Sequence, residues 1–289
     1  MRKNRKLVFI FALIIFMFSQ LVYILTLSPT VNFIDSGELI TVCHKLGIAH
    51  PTGYPLYTLL GRLFSFFPSG NGAVRINYMS SIFASLCGIF IYFAVLTIIS
   101  ILRKSTDIHI NEIIVAYVSG LFTCFSLTLW QQAVVTEVYS LTAFIFSFLI
   151  LIIFIWYSRI SENKKADILL AVFFYFLGLG FGNHLSLVHI VPATIFFLLS
   201  ARKIKIRTFV YCGFFFVLGI SIYLYLPVRS SLNPVMDWGN PDNFTRFINH
   251  ITGKQYRVWM FSSSPAVLKE HILNYVTLLS KQISPFLLI

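Results

Sequence analysis

The sequence predicts an all-α polytopic membrane protein with about seven transmembrane helices and a long first extracytoplasmic loop carrying interfacial helices. Three observations predict it. Hydrophobic residues make up 57% of the 289 and charged residues 11%, whereas soluble domains average about 25% charged. The apolar residues fall in long unbroken runs, with a mean hydropathy of +0.83, unlike the short alternating segments of outer-membrane barrels. The basic residues behind the net charge of +12 sit mostly at the ends of those runs. A soluble globular enzyme, a disordered chain and a free nucleic-acid binder are thereby excluded, because membrane topology accounts for the charge. Cys43, Cys87, Cys124 and Cys212 show no paired spacing, so neither a disulfide framework nor a cysteine metal site is read.

The first run, 7–27, follows Arg2, Lys3, Arg5 and Lys6. It is long enough for a hydrocarbon core of about 30 Å. Ser28-Pro29-Thr30 follows rather than a small-residue cleavage site, so the run reads as a retained first helix with a cytoplasmic N-terminus. Further spans are expected at 76–102, 111–129, 140–157, 167–182, 185–200 and 208–226. Segments 1–6, 103–104, 159–165 and 202–207 hold 13 of the 22 Lys+Arg, which puts them on the cytoplasmic side. The spans at 167–182 and 185–200 are short; the basic segments 159–165 and 202–207 on their outer flanks must share a side. Residues 28–75 form the first outer loop, where 54–67 is apolar but too short to span and reads as an interfacial helix. Residues 1–226 thus make a transmembrane core and 227–289 an extracytoplasmic tail. The tail ends in what looks like the opening of another apolar run at 284–289, as in a shortened chain or one half of a larger protein.

With only ten acidic residues, placement carries information. Asp107, Glu112, Glu162 and Asp167 fall at cytoplasmic helix ends, where a solvated role suffices. Asp35 and Glu38 follow the first span closely, and carboxylates beside hydrocarbon are a functional hypothesis by default. The plain alternative is a capping box, with Asp35 as N-cap and Glu38 at the third helical position. His50-Pro51-Thr52-Gly53-Tyr54-Pro55 reads as a rigid turn placing His and Tyr at the membrane rim. Glu137 occupies a short outer turn where Thr136 could cap the next helix. Gly178, Gly180 and Gly182 lead to His184 and permit close helix packing. Arg229 ends the last expected span, and its planar fork suits a phosphate, the plain alternative being a snorkelling interface Arg. No Walker loop, GxGxxG, HExxH or GxSxG occurs.

Five blocks carry a resemblance: Asp35-Ser36-Gly37-Glu38 with Lys45 to Tyr57; Arg75-Ile76-Asn77; Trp130 and Gln132 with Thr136 to Leu141; Gly182-Asn183-His184; and Tyr225 to Ser230 with Asn233-Pro234 and Asp237 to Pro241. In this order they resemble a GT-C membrane glycosyltransferase family formerly known as a domain of unknown function. Its eukaryotic members are transmembrane protein O-mannosyltransferases of the endoplasmic reticulum, and they continue into further helices. The resemblance implies a GT-C type core. It implies a polyprenyl-phosphate sugar donor in the bilayer, an exported protein as acceptor through Ser or Thr, and no nucleic acid. Asp35 would be the catalytic base with Glu38 beside it, and His50, Tyr54, Glu137, Tyr139, His184, Arg229 and Asp237 would bind donor or acceptor. No organic cofactor is implied and no metal ligands are assigned, although a divalent cation could join Arg229 and His184 in stabilising the leaving phosphate. Transfer would be inverting, with an oxocarbenium-like transition state, so a carboxylate needs only to accept the hydroxyl proton as the new bond forms. The expected setting is a bacterial inner membrane rather than the endoplasmic reticulum, with the site extracytoplasmic. The competing readings are a transporter or flippase for a lipid-linked or anionic substrate and an inactive structural subunit. Transporters place charges at mid-membrane on broken helices, whereas here the acids crowd one face.

Overall fold

The computed structural model describes residues 4–68, 70–162, 164–200, 204–258 and 262–287. Among them Arg2, Lys3, Arg202 and Lys203 of the expected cytoplasmic segments do not appear, nor do the last two residues of the terminal apolar run. Thirteen α-helices are described: α1 (Arg5–Leu25), α2 (Ser36–Lys45), α3 (Pro55–Phe64), α4 (Gly72–Arg103), α5 (Ile110–Cys124), α6 (Leu127–Ala133), α7 (Tyr139–Ser161), α8 (Asp167–Phe181), α9 (Val191–Ser200), α10 (Ile206–Ile220), α11 (Tyr225–Ser230), α12 (Phe244–Ile251) and α13 (Pro265–Leu287). Short 3-10 turns precede α9 and α11 and follow α12. The strand content of the described residues is one isolated parallel bridge between Ile48 and Asp237.

Among the described residues four helical stretches are long and apolar enough to cross a membrane: Arg5–Leu25, Gly72–Arg103, Tyr139–Ser161 and Ile206–Ser230. The expected span at 111–129 is instead a pair, α5 and α6, bent by 60°. The bend falls where Phe125 and Ser126 leave the helix and the Ser126 hydroxyl donates to the Thr123 carbonyl at 2.9 Å, a local bond that competes with the helical ladder. The expected spans at 167–182 and 185–200 give α8, of 15 residues, and a 3-10 turn plus the ten-residue α9. At 1.5 Å per residue neither covers about 30 Å of hydrocarbon upright. The described residues therefore hold four such spans, or five with the bent pair, where the sequence leads one to expect about seven.

The long α4 is the central post. Gly88 of α4 and Gly120 of α5 meet so closely that a Cβ on Gly88 would lie 2.9 Å from the Gly120 carbonyl. Small residues of this kind let membrane helices approach backbone to backbone. Buried polar groups join α1 to α4: Ser19 donates to Ser85 at 2.7 Å and Gln20 to the Ser81 carbonyl at 2.8 Å. The Tyr92 hydroxyl reaches the Val8 carbonyl at 3.0 Å. One apolar core of Trp156, Tyr57, Phe173, Met79 and Leu141 joins α3, α4, α7 and α8, and a second around Ile15, Tyr23 and Ile113 joins α1, α4 and α5. Large apolar side chains of α1 (Leu13, Met17, Leu21) and α10 (Val210, Phe214, Val217) stay exposed, as a face presented to lipid requires.

Chain direction sorts the helix ends. The C-terminal ends of α1, α8 and α10 and the N-terminal ends of α4 and α7 share one end of the bundle, where α2 and α3 lie. Arg103, Lys104, Arg159, Lys164, Lys165, Lys205 and Arg207 gather at the other. There Glu112 pairs with Arg103 and accepts the His109 amide at 2.8 Å, and Asp167 accepts from Thr208 at 3.2 Å, the structural roles expected of these acids.

Candidate active site

Asp35 stands at the N-cap of α2, yet its side chain makes no capping hydrogen bond, and its backbone is already helical. Glu38, in the first turn, does not complete a capping box. Its Oε1 instead accepts the His50 amide at 2.6 Å and faces the His50 ring at Nδ1, 3.1 Å away. The expected box gives way because a long-range partner that carries both an amide and an imidazole satisfies the carboxylate more fully. His50 Nε2 lies 4.0 Å from Asp35 Oδ2, with the Asp35 side chain 43% exposed and that of Glu38 16%. One imidazole thus stands between two carboxylates at the positive end of a helix dipole.

The turn that carries His50 is as stiff as its sequence suggests. Gly53 has φ 89° and donates its amide to the His50 carbonyl at 2.8 Å, and a Cβ there would strike Leu226 at 2.9 Å. Tyr54 follows, also left-handed, and Pro55 opens α3. The Tyr54 hydroxyl meets His50 Nε2 at 2.8 Å. The Tyr54 ring stacks on His184, with centroids 6.3 Å apart and planes 7° from parallel, and the His184 ring lies 5.5 Å from that of Tyr139.

Asn183 explains how these distant blocks converge. Its buried amide donates to the Val138 carbonyl at 3.1 Å and to Thr142 Oγ1 at 2.8 Å, stitching the end of α8 to the start of α7. The neighbouring Gly182 carbonyl accepts the Leu56 amide of α3 at 3.0 Å. On the other flank Thr136 does not cap α7, whose N-cap is Val138. It donates to Asn77 Oδ1 of α4 at 2.6 Å, and Asn77 donates to the Ser28 carbonyl at 2.9 Å. Both Asn77 and Thr136 are fully buried. Glu137, half-buried between these anchors, reaches the same electrostatic neighbourhood as Asp35 and His50.

The charges are coupled. Burial, then the charge of Asp35, lifts the Glu137 carboxyl to about 7. Burial alone would lower the pKa of His50, but the hydrogen bond and charge of Glu38, with Asp35 and Glu137 behind them, raise it above its ordinary value. Burial likewise opposes ionisation of Glu38, and the His50 bonds reverse this and lower its pKa. His184 is lowered by burial and by the charge of His50. Its Nδ1 accepts the Ser186 amide at 3.2 Å, so the neutral ring carries its proton on Nε2. Asp35, Glu38 and His50 offer ligand atoms within 4.8 Å of one another, a donor set that fits a divalent cation.

Arg229 and Asp237 are placed elsewhere. Arg229 Nε donates to the Leu46 carbonyl at 2.6 Å and its Nη2 to Lys45 at 3.2 Å. It therefore covers the C-terminal end of α2, a favourable place for a cation. Asp35 sits at the opposite end, about 15 Å away by helical rise. Tyr225, one turn earlier, donates to the Gly47 carbonyl at 2.9 Å. Asp237 accepts from Ser230 at 2.9 Å, and burial raises its pKa. Its backbone bridges Ile48, which brings the Trp238 ring within 6.2 Å of His50. Sequence reasoning assigned no role to Trp238, nor to His250, which is buried, lies 3.1 Å from the Ala49 carbonyl and is pushed down to about 4 by that burial.

Comparison with known proteins bears on the same residues. The sequence profile of the "Protein O-mannosyl-transferase TMEM260 N-terminal domain" matches residues 35–207, so it holds Asp35, Glu38, His50, Glu137 and His184 and leaves out Arg229 and Asp237. The protein O-mannosyl-transferase TMEM260 of Mus musculus is 30% identical over 271 residues, 90% of this chain and 37% of its own length. The protein O-mannosyl-transferase tmem260 of Dictyostelium discoideum is 31% identical over 262 residues, 84% of this chain and 30% of its own. The chain spans about a third of the length of these relatives, and both come from eukaryotes, whereas the sequence reading expects a bacterial inner membrane. No solved structure matches the chain.

Proposed function

The chain belongs to the protein O-mannosyl-transferase TMEM260 N-terminal domain family, and from that premise we propose that it transfers a hexose, mannose by family analogy, from a polyprenyl-phosphate donor to a Ser or Thr hydroxyl of an exported protein. In this reading 1–226 is a GT-C type core, 227–289 continues it outside the membrane, and the site opens to the extracytoplasmic side. The observation that supports it best is the Asp35 carboxylate. It is half exposed at the rim of the bundle, close to His50 and Glu137, and free of the cap its position would allow.

The acceptor oxygen attacks the anomeric carbon as the bond from that carbon to the phosphate oxygen breaks, inverting the centre. Asp35 takes the hydroxyl proton as the new bond forms, because an alkoxide is out of reach beforehand. Glu38 fixes His50, and the His50 ring beside Asp35 orients that carboxylate. His184 Nε2–H, Tyr54 and Tyr139 are the donors and rings available to sugar hydroxyls. Charge accumulating on the leaving phosphate faces the His50 imidazolium. A divalent cation held by Asp35, Glu38 and a neutral His50 ring would take the place of that imidazolium and supply the positive charge in its stead. Arg229 acts indirectly, by holding the far end of the helix that presents Asp35 and Glu38.

Asp35→Asn keeps shape and removes basicity. Turnover with a polyprenyl-phosphate mannose and a Ser/Thr peptide should fall by about 10²–10⁴-fold, with the melting temperature in detergent unchanged. Near-native turnover would sink the assignment of Asp35 as base.

A further inference from the structure

A groove of about 490 Å³ runs between α4, α6 and α7, walled by Ile91, Leu129, Ala143 and Phe146, a volume suited to a small ligand. Its walls draw on two of the membrane-crossing helices, Gly72–Arg103 and Tyr139–Ser161. Hydroxyls also line it, and four of them donate within their own helix or turn. Thr123 donates to Ser119, Ser126 to Thr123, Thr142 to Val138 and Ser147 to Phe144, all at 2.9 Å and all to backbone carbonyls of the same helix or turn. Between them the wall of Ile91, Leu129, Ala143 and Phe146 is methyl, methylene and ring carbon, a surface that suits an apolar guest.

One end of the groove differs. Tyr139 lines it there, and the same ring stands 5.5 Å from His184 in the catalytic cluster. Gln132 lines it too, and its solvent-shielded Oε1 has no hydrogen-bond partner among the described residues. The site and the groove are therefore continuous, polar at the rim and apolar below.

We infer that this groove seats the hydrocarbon tail of the donor, with its first units beside Tyr139 and Gln132 and the remainder running down between Ile91 and Ala143. The inference rests on the lipid-linked donor proposed above, and it names where donor chain length is sensed.

The test uses the full chain in lipid nanodiscs and two donors, mannosyl phosphate on a long polyisoprenol and on a short-chain analogue. Ala143→Phe narrows the groove away from the acids. It should raise KM for the long-chain donor roughly tenfold, change kcat by no more than about twofold and leave the short-chain donor unaffected. An equal shift for both donors, or none for the long one, overturns the inference. A second arm needs no turnover and stands if the variant fails to fold. Native protein is irradiated with a sugar-free polyisoprenyl phosphate carrying a diazirine in its first units. Labelling at 143–147 and 87–91 supports the groove. Labelling spread over the lipid-facing sides of α1 and α10, or equal groove labelling by a diazirine phosphatidylcholine, overturns it. If the native protein transfers from neither donor, the catalytic reading fails while the labelling pattern still decides the groove.

Discussion

At the scale of single residues the site is a charge relay between partners that need one another. Glu38 is mostly shielded from water, and its charge is balanced by two contacts to His50. Glu38→Gln should cost about 1–3 kcal/mol, the usual penalty when a buried charge-assisted bond loses its charge, read as a fall in melting temperature in detergent. It should also slow transfer, because His50 then loses its orienting partner. Glu137 makes a different prediction. Its proton is held more tightly in the folded protein, with the carboxyl moved from 4.5 to about 7. The stabilisation this gives is complete below 4.5 and is lost as pH rises towards 7. Melting temperature should therefore decline across that window, and Glu137→Gln should flatten the decline; an unchanged slope would remove Glu137 from the account. Asp35, Glu38, His50, Tyr54, Glu137 and His184 were legible because polar residues beside apolar runs are few. The partners of Arg229 were not, since two backbone carbonyls leave no mark in a sequence. Trp238 and His250 were hidden for a like reason. Their meeting with residues 48–50 depends on a single bridge between segments nearly two hundred positions apart.

At the scale of elements, apolar length located α1, α4, α7 and α10 well, and failed where local bonds end a helix early. The break after Cys124 turns one expected span into two helices, and the 3-10 turn after His184 shortens the next. The glycine run before His184 was read as a packing device, and the structure shows its partner. A Cβ on Gly178 would lie 2.4 Å from the Phe216 carbonyl of α10, and one on Gly219 would lie 2.2 Å from the Tyr175 carbonyl of α8. These helices touch backbone to backbone, so no rotamer change relieves a clash. Gly219→Ala should destabilise the protein by about 1–3 kcal/mol, measured as thermal unfolding in detergent. Gly213, on the same helix, has open space around it, and Gly213→Ala serves as the neutral control.

For the whole molecule, chain direction places the candidate acids Asp35, Glu38 and Glu137 with His50 and His184 at one end of the bundle, and the basic turns holding Arg103, Lys104, Arg159, Lys164, Lys165, Lys205 and Arg207 at the other. The transporter reading loses ground here, because the candidate acids sit at one rim and not half-way along a broken span. The proposed orientation can be tested directly, since all four native cysteines are buried. Val235 is 88% exposed near the end that holds the candidate site, and Lys164 lies in the basic turn after α7. An impermeant maleimide added to intact cells should label Val235→Cys and reach Lys164→Cys only after permeabilisation; the opposite pattern would invert the protein in its membrane.

The amide of Asn183 has a mechanical consequence. It rivets the start of α7 to the loop after α8, with the Asn183 side chain buried and its bond to the Val138 carbonyl shielded from water. The rings and carboxylates mounted on that joint keep their spacing whatever arrives. On the proposed function, admission of a bulky acceptor then falls to parts lacking such fastenings. The outlying α13 is one: its Gln282 meets Thr128 of α6, and its apolar side chains from Leu268 to Leu279 are exposed. Precision and access are thus divided between a locked frame and a loosely hung arm.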